Sequence, residues 1–390
     1  MRACRFVVIA LVTLFTCAGA PNAAAGTRPR NIILFIGDGM GFGEVELAAL
    51  QQPPVADAPA NPAAPVPPLF CFERFPVAGT LSNRSANSLV TDSAAAATAL
   101  ACGAKTNNGT LGLAPDGTRL ESMAELAKKH GKAVGIVSSV GFDHATPAGF
   151  YAHSASRDSY EAIVEQALTC KTYDVLFGGG VCATSMAPAL MRTRAEAAGL
   201  AYFDTTNFKD ITPAATAGKA VLGAFDANNN DLLDFLSDRT PECPEPRLAD
   251  VATKAVDLLL ARENGKGFFL MVEGGAIDWA CHGNNAKQMC GDVREFDRAI
   301  AAVLAQLAAA GQLEDTLIVV TADHETGGLV VVGPYGKPLA PGQEAEIKWS
   351  TGGHSAMFVP LYATGPEAAR LANRHDNAEL GRLLKTLLTP

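Results

Sequence analysis

Strand-length apolar runs recur along this chain with helix-patterned segments between them, and that alternation constrains the fold more than any other feature. The runs are Asn31–Ile36, Ala133–Ser138, Gly267–Val272, Thr316–Thr321 and Ala356–Ala363. A short run with little polar alternation is a strand buried on both faces, which a parallel sheet covered by helices provides. Segments Ser93–Cys102, Glu121–His130, Tyr160–Thr169, Leu248–Arg262, Val293–Ala310 and Ala378–Leu387 read as those helices. The expected architecture is α/β: a three-layer sandwich with a large, mostly parallel central sheet and helices on both faces. At 390 residues, 48% of them hydrophobic, the chain can fill one large core. No internal repeat is visible, so residues 26–390 read as one domain. Residues 51–68, rich in Pro and Ala, read as an extended surface insertion within it.

The first 25 residues read as a secretory signal. Arg2 and Arg5 give a basic start, Phe6 to Phe15 form an apolar stretch too short to span a bilayer, and Ala23, Ala24 and Ala25 place cleavage after Ala25. The expected location is therefore secreted or periplasmic. Cys17 offers a lipoprotein alternative that the preceding Thr16 disfavours. No later segment reads as a membrane span. The net charge is −9, and loss of the signal removes two arginines and no acid. Such a chain is a poor partner for nucleic acid, and any affinity for an anion must come from local cations. Seven of the nine cysteines lie beyond residue 25, and no CxxC pair suggests a zinc ribbon. Cys170 with Cys182, and Cys290 with Cys281 or Cys243, are spaced for disulfides in an oxidising compartment.

In open α/β sheets, ligands bind beyond the carboxyl ends of the strands, and chemistry-bearing residues collect there. Asn31–Gly43 reads NIILFIGDGMGFG. A dinucleotide loop would need a third glycine where Phe42 stands, so the glycines instead let the chain turn and present Asp38. Glu273, Asp278 and His282 fall in VEGGAIDWACHGNN; Asp278 and His282, four apart on a helical turn, face one way and can share a cation. An isolated pair of that spacing is an ordinary surface feature, but Glu273 at a strand end beside it points to a site. Asp323 and His324 follow a strand in VVTADHETGG, and His354 stands in STGGHSAMFVP. Of the remaining histidines, His144 shares this glycine-flanked context, whereas His130, His153 and His375 carry no evident role.

Ser93 opens the alanine-rich helix in VTDSAAAATALACG, directly after Asp92. Alone, this is an ordinary helix cap. Beside a metal cluster, a hydroxyl at the positive end of a helix is a seat for a phosphoryl group. Zinc takes imidazole and carboxylate ligands, and magnesium takes oxygen. The expectation is one zinc at Asp278, His282 and His354, and another at Asp38, Asp323, His324 and the Ser93 oxygen. Such a pair clamps the entering and leaving oxygens of a phosphoryl transfer.

In this order, GDGMG, VTDSAAAATA, VEGGAIDWACH, TADHETGG and TGGH resemble the alkaline phosphatase family, over about Asn31 to Pro366. The resemblance implies a secreted or periplasmic α/β homodimer that binds two zinc ions and one magnesium ion. It implies that Ser93 is a nucleophile phosphorylated during turnover, with Asp38 bridging to magnesium and Thr146 and Glu273 completing that site. Arg157, in YAHSASRDSY, matches the arginine that grips the phosphate, with Asp92 orienting it; a bidentate guanidinium suits this better than lysine. Broad hydrolysis of phosphomonoesters to inorganic phosphate, with an alkaline optimum, follows as the implied activity. Three positions depart from the pattern. His144 stands where members carry Asp or His and bears on the third ion or its waters. Trp279 stands where others carry Lys or His and removes a cation near the phosphate. Ser355-Ala356 follow His354 where Thr-Gly is common, with little expected effect. A related phosphodiesterase or sulfatase, or a catalytically silent phosphate- or metal-binding protein, are the rival readings; no Cys/Ser-x-Pro-x-Arg stretch supports a sulfatase. FDANNNDLLD (225–234) resembles a degenerate calcium loop and reads better as an Asn-rich turn.

Overall fold

A computed structural model describes residues 28–389 except 52–68, 217, 228–230, 263, 337, 338 and 340–342. Residues 1–25, expected to be a signal, nearly all of the 51–68 run and the centre of the 225–234 run lie outside the described residues. The strands are β1 (Asn31–Gly37), β2 (Val77–Ser82), β3 (Ala133–Ser138), β4 (Val175–Gly178), β5 (Ala201–Phe203), β6 (Val221–Ala224), β7 (Phe268–Gly274), β8 (Thr316–Thr321), β9 (Glu325–Thr326), β10 (Leu329–Gly333), β11 (Glu346–Trp349), β12 (His354–Ser355), β13 (Val359–Thr364) and β14 (Asn373–Asp376). The helices are α1 (Phe42–Leu50), α2 (Ser93–Cys102), α3 (Met123–Lys129), α4 (Ala145–Ala148), α5 (Tyr160–Thr169), α6 (Pro188–Ala197), α7 (Leu248–Arg262), α8 (Ala276–His282), α9 (Ala286–Ala309) and α10 (Asn377–Leu388).

Ten strands form one sheet in the order β14-β2-β13-β8-β1-β7-β3-β4-β6-β5. All pair in parallel except at β13, which runs against both β8 and β2. The expected α/β sandwich is therefore present. Strands β1, β3, β7 and β8 are buried along their whole length, as their unbroken apolar runs require. The last expected strand starts at Val359 and not at Ala356, because Met357 and Phe358 remain exposed on the approach to it.

The register sets the functional edge. Ile36 of β1 pairs with Glu273 of β7 on one side and with Thr321 of β8 on the other. Asp38, Glu273 and Asp323 therefore leave the carboxyl ends of three adjacent central strands.

Helix α2 reaches the same edge because its residues are small. Every residue of α2 is buried, and its alanines let neighbouring backbone approach closely. A Cβ on Gly149 would sit 2.9 Å from the Ala97 Cβ, and one on Gly381 of α10 would sit 2.5 Å from the carbonyl oxygens of Ala99 and Leu100. The helix stops at Gly103, in the left-handed conformation at φ 72°. There Arg382 donates to the Gly103 carbonyl and Lys385 to that of Cys102, placing cations at the negative end of the helix.

The cysteine expectations are not met. Cys71, Cys102, Cys170, Cys182, Cys243, Cys281 and Cys290 are all free thiols, so neither the Cys170–Cys182 loop nor a Cys290 bridge forms. Cys281 and Cys290 are packed into the apolar core, and burial pushes the Cys281 thiol well up; both act as small hydrophobes. Cys182 is held elsewhere by its own backbone, whose N–H donates to Asp143 at 2.7 Å.

Gly381→Val should lower stability by about 1–3 kcal/mol, because α10 must move off α2 to admit the side chain. An unchanged denaturation midpoint in urea would show that the helix contact is not close.

Candidate active site

Three acids meet where the central strands end. Asp38, Glu273 and Asp323 are all fully buried. Asp38 sits in the turn after β1, and Gly39 permits that turn: its φ is +73°, and a Cβ there would lie 2.9 Å from both the Asp278 Cα and the Thr326 Oγ1. Neither carboxylate oxygen of Asp38 has a hydrogen-bond partner. Asp323 Oδ1 accepts from the N–H groups of Gly39 (3.2 Å) and His324 (2.9 Å), while Oδ2 has none. Ser138, at the end of β3, donates to Glu273 Oε2; Glu273 Oε1 and the buried Thr146 Oγ1 on α4 are unpartnered. Burial, reinforced by the acids around them, pushes the Asp38 carboxyl well up and that of Asp323 to about 8. Burial also carries Glu273 to about 7. The strand register crowds these acids together in spite of their mutual repulsion.

The imidazoles show the same deficit from the other side. His282 Nδ1 donates to the Gly352 carbonyl at 2.7 Å, and His354 Nδ1 to the Thr91 carbonyl at 2.8 Å. A carbonyl oxygen only accepts, so in both rings Nδ1 carries the proton and Nε2 presents a lone pair. Those two Nε2 atoms face each other at 3.1 Å, and Asp278 approaches them at 3.4 and 3.6 Å. Lone pairs directed at one point need either an extra proton or a cation between them. With protons alone, the hydrogen bond to Asp278 pushes His282 up to about 9. Against its burial, Asp278 is held well below the usual range by His282 and the neighbouring imidazoles.

His324 completes the cluster. Its Nε2 lies 3.2 Å from Ser93 Oγ, 3.2 Å from Asp323 Oδ2 and 3.3 Å from Asp38 Oδ1, and its ring stacks on His354 with centroids 3.6 Å apart. Burial first, and His354 next, push its pKa well down. The ligand atoms of Asp278, His282 and His354 lie within 4.8 Å of one another, as do those of Asp38, Asp278 and His324, and those of Asp38, His144 and Glu273. The residues fit divalent cations: unpartnered buried oxygens and converging imidazole lone pairs supply nitrogen and oxygen donors.

Asp92 caps α2, accepting from the Ala95 N–H at 2.9 Å, and so seats Ser93 in the first turn. Its other oxygen accepts from the Gly109 N–H (3.0 Å) and from Arg157 Nη1 (3.2 Å). Arg157 Nη2 donates to His144 Nε2 at 3.0 Å. Burial, and then Arg157, push the His144 pKa down to about 3, so the ring is neutral. Trp279 packs edge-on against it at 5.7 Å.

All the site residues expected from sequence thus gather at one edge. Thr326, Glu325, Ser138 and Ser139 went unread. Thr326 bonds to both Asp278 and His324, yet in ETGG it reads only as part of a turn. Ser139 accepts from the N–H groups of Gly275 and Ala276, and its one signal is a polar pair closing an apolar strand.

The wider comparison agrees with this arrangement. A family model described as alkaline phosphatase matches residues 29–342. Alkaline phosphatase 4 of Bacillus subtilis is 34% identical over 309 residues, which cover 77% of this chain and 62% of that protein's length. The cold-active alkaline phosphatase of a psychrophilic Shewanella superposes with a TM-score of 0.78 at 27% identity, covering 92% of this chain and 100% of that one. A histidine-to-aspartate mutant of the TAB5 alkaline phosphatase, with Mg bound in its M3 site, gives 0.75 at 27%, covering 93% and 98%. With the matched sequence, the shared fold and an acid- and imidazole-lined strand edge together, this chain belongs to the alkaline phosphatase family.

Proposed function

We propose that the protein is an exported phosphomonoesterase of broad specificity, working through a phosphoserine at Ser93 with two zinc ions and one magnesium ion, as a homodimer with an alkaline optimum. The observation that carries this reading is Ser93 Oγ lying 3.2 Å from His324 Nε2, inside the unneutralised cluster of acids and lone pairs. Asp278, His282 and His354 suit one zinc, and Asp38, Asp323, His324 and the Ser93 oxygen suit the other. Asp38, Thr146 and Glu273 form an oxygen set suited to magnesium. His144 faces that third set, but Arg157 already occupies its Nε2. The mutant TAB5 structure with Mg in its M3 site supports a metal of this kind nearby. Export rests on residues 1–25, which lie outside the described residues.

Divalent cations supply Lewis acidity here, lowering the pKa of a nucleophile's hydroxyl and steadying a departing oxygen. The chain's own groups do the rest. Asp92 orients the Arg157 guanidinium through Nη1, leaving further donors for two non-bridging phosphate oxygens. The positive end of α2, where Ser93 sits, favours negative charge at the same place. Ser93 gives up its proton and attacks phosphorus in line, and the alcohol leaves as it gains a proton. Water then attacks the phosphoserine, phosphate departs and the serine oxygen is reprotonated. No side chain contacts the leaving alcohol in this scheme, which supports broad specificity.

Ser93→Ala should cut turnover of an aryl phosphate by about 10³-fold or more while zinc, measured by elemental analysis, stays bound. Near-normal turnover would end the assignment. Arg157→Lys should raise KM by about 10-fold, through loss of the bidentate contact, with a smaller effect on kcat. Rates on bis-aryl phosphate or aryl sulfate exceeding that on aryl phosphate would favour a phosphodiesterase or sulfatase.

Chelation should expose the repulsion among the acids. In the stripped protein Asp323 and Glu273 titrate near about 8 and about 7, against about 4 when unfolded. Through these two groups the folded state then binds more protons than the unfolded one, so their contribution to stability is full below about pH 4 and is lost as pH rises through about 8. The melting temperature of stripped protein should fall across that window, and that of metal-loaded protein should not follow it.

A further inference from the structure

We propose, resting on the reading of this edge as a paired-cation centre, that Thr326 is a positioning residue whose hydroxyl ties the two cation-binding groups together. Thr326 is fully buried on β9. Its Oγ1 lies 2.5 Å from Asp278 Oδ1 and 3.2 Å from His324 Nδ1. A carboxylate oxygen only accepts, so the hydroxyl proton goes to Asp278. The hydroxyl oxygen is then left to accept, and the ring must bring the proton on Nδ1. One hydroxyl therefore fixes two things: the His324 tautomer, with its Nε2 lone pair aimed at Ser93, Asp38 and Asp323, and the orientation of the Asp278 carboxylate. Asp278 has ligand atoms in both groups, with His282 and His354 on one side and with Asp38 and His324 on the other.

The backbone holds Thr326 firmly enough for this role. Its N–H donates to the Gly39 carbonyl at 3.1 Å, beside Asp38. It pairs across the short ladder with His354, while Glu325 pairs with Ser355. Glu325 Oε1 accepts from the N–H groups of Gly328 (2.6 Å) and Leu329 (3.3 Å), and its Oε2 accepts from the Ser355 hydroxyl. The segments carrying Asp38, His324 and His354 are thus knitted around a single side-chain oxygen. His282 and His354 take their tautomers from backbone carbonyls, whereas His324 takes its own from Thr326. That makes His324 the one ring of the three whose aim a side-chain substitution can release.

The test uses the full chain, stripped with chelator and titrated with zinc against a chromogenic competitor. Thr326→Val keeps the shape and removes the hydroxyl; Thr326→Ser keeps the hydroxyl and removes the methyl. Supporting groups of this kind are worth about 10–100-fold in metal affinity. The expected result is a loss of that size in Thr326→Val, recovery to within a few-fold in Thr326→Ser, and the same melting temperature for all three proteins without metal. Thr326→Ala gives the same comparison if the valine variant folds poorly. Wild-type zinc affinity in the hydroxyl-free variants overturns the proposal, as does an equal loss in Thr326→Ser, which would assign the effect to packing of the methyl. The readout is zinc alone. A chain that held zinc through Thr326 yet left aryl phosphate intact would defeat the proposed function and leave this inference standing.

Discussion

Repulsion among buried acids at the ends of β1, β7 and β8 is the constraint around which the rest of the structure is arranged. A parallel sheet brings the carboxyl ends of its strands to one edge, so three residues distant in sequence become neighbours. In Asp38, Glu273 and Asp323 that edge gathers like charge, with Arg157 acting on Asp38 from a distance while its own ion pair is with Asp92. Isolated carboxylates of this kind are tolerated only when protonated or when paired with a cation. The hydrogen bonds from Ser138, Gly39 and His324 satisfy some of their oxygens and leave others facing inward. What remains is a set of inward-facing oxygens, placed by the sheet register, whose donor chemistry suits divalent ions.

The acids alone would make a diffuse sink for cations. The histidines give it direction. Backbone carbonyls of Gly352 and Thr91 hold the Nδ1 protons of His282 and His354, so Nε2 is the nitrogen each ring turns to the cluster, and neither ring can rotate without losing a bond. This division of labour suits the proposed function, in which a net acidic protein acts on an anion. Overall charge opposes a phosphate ester, and the local field must outweigh it through Arg157, the first turn of α2 and whatever ions the cluster holds.

Legibility in the sequence followed the length and chemical character of each segment. The bounds of α2, α5, α7 and β8 agree with the expected segments to the residue: α5 and α7 bury one stripe and show a helical period, β8 is an unbroken apolar run, and α2 is set off by Asp92 before it and Gly103 after it. Strands β4, β5 and β6 run only three or four residues, too few for a period to register, and their place in the sheet comes from pairing with neighbours. The clustered acids and histidines were readable because such residues stand out beside glycines at strand ends. Thr326 and Ser138 were not, since a hydroxyl is common in turns and at strand ends and its importance lies in which atoms it meets. The cysteines misled for a related reason: spacing along the chain suggested bridges, whereas packing buried the thiols separately.

The same reasoning explains why the helix that carries Ser93 is built from alanine. Ser93 must lie within reach of His324, so α2 has to enter the protein at the strand edge and remain buried along its length. Larger side chains would hold α4 and α10 away, and the N-terminus of α2 would retreat from the cluster with them. Gly149 and Gly381 meet its alanines at distances that admit no further atom, while Asp92 secures the first turn and Arg382 and Lys385 secure the last. A helix without side-chain bulk gains little from apolar burial of its own. Its position is imposed by close neighbours and by its caps, which is a suitable means of holding one hydroxyl to a fixed point.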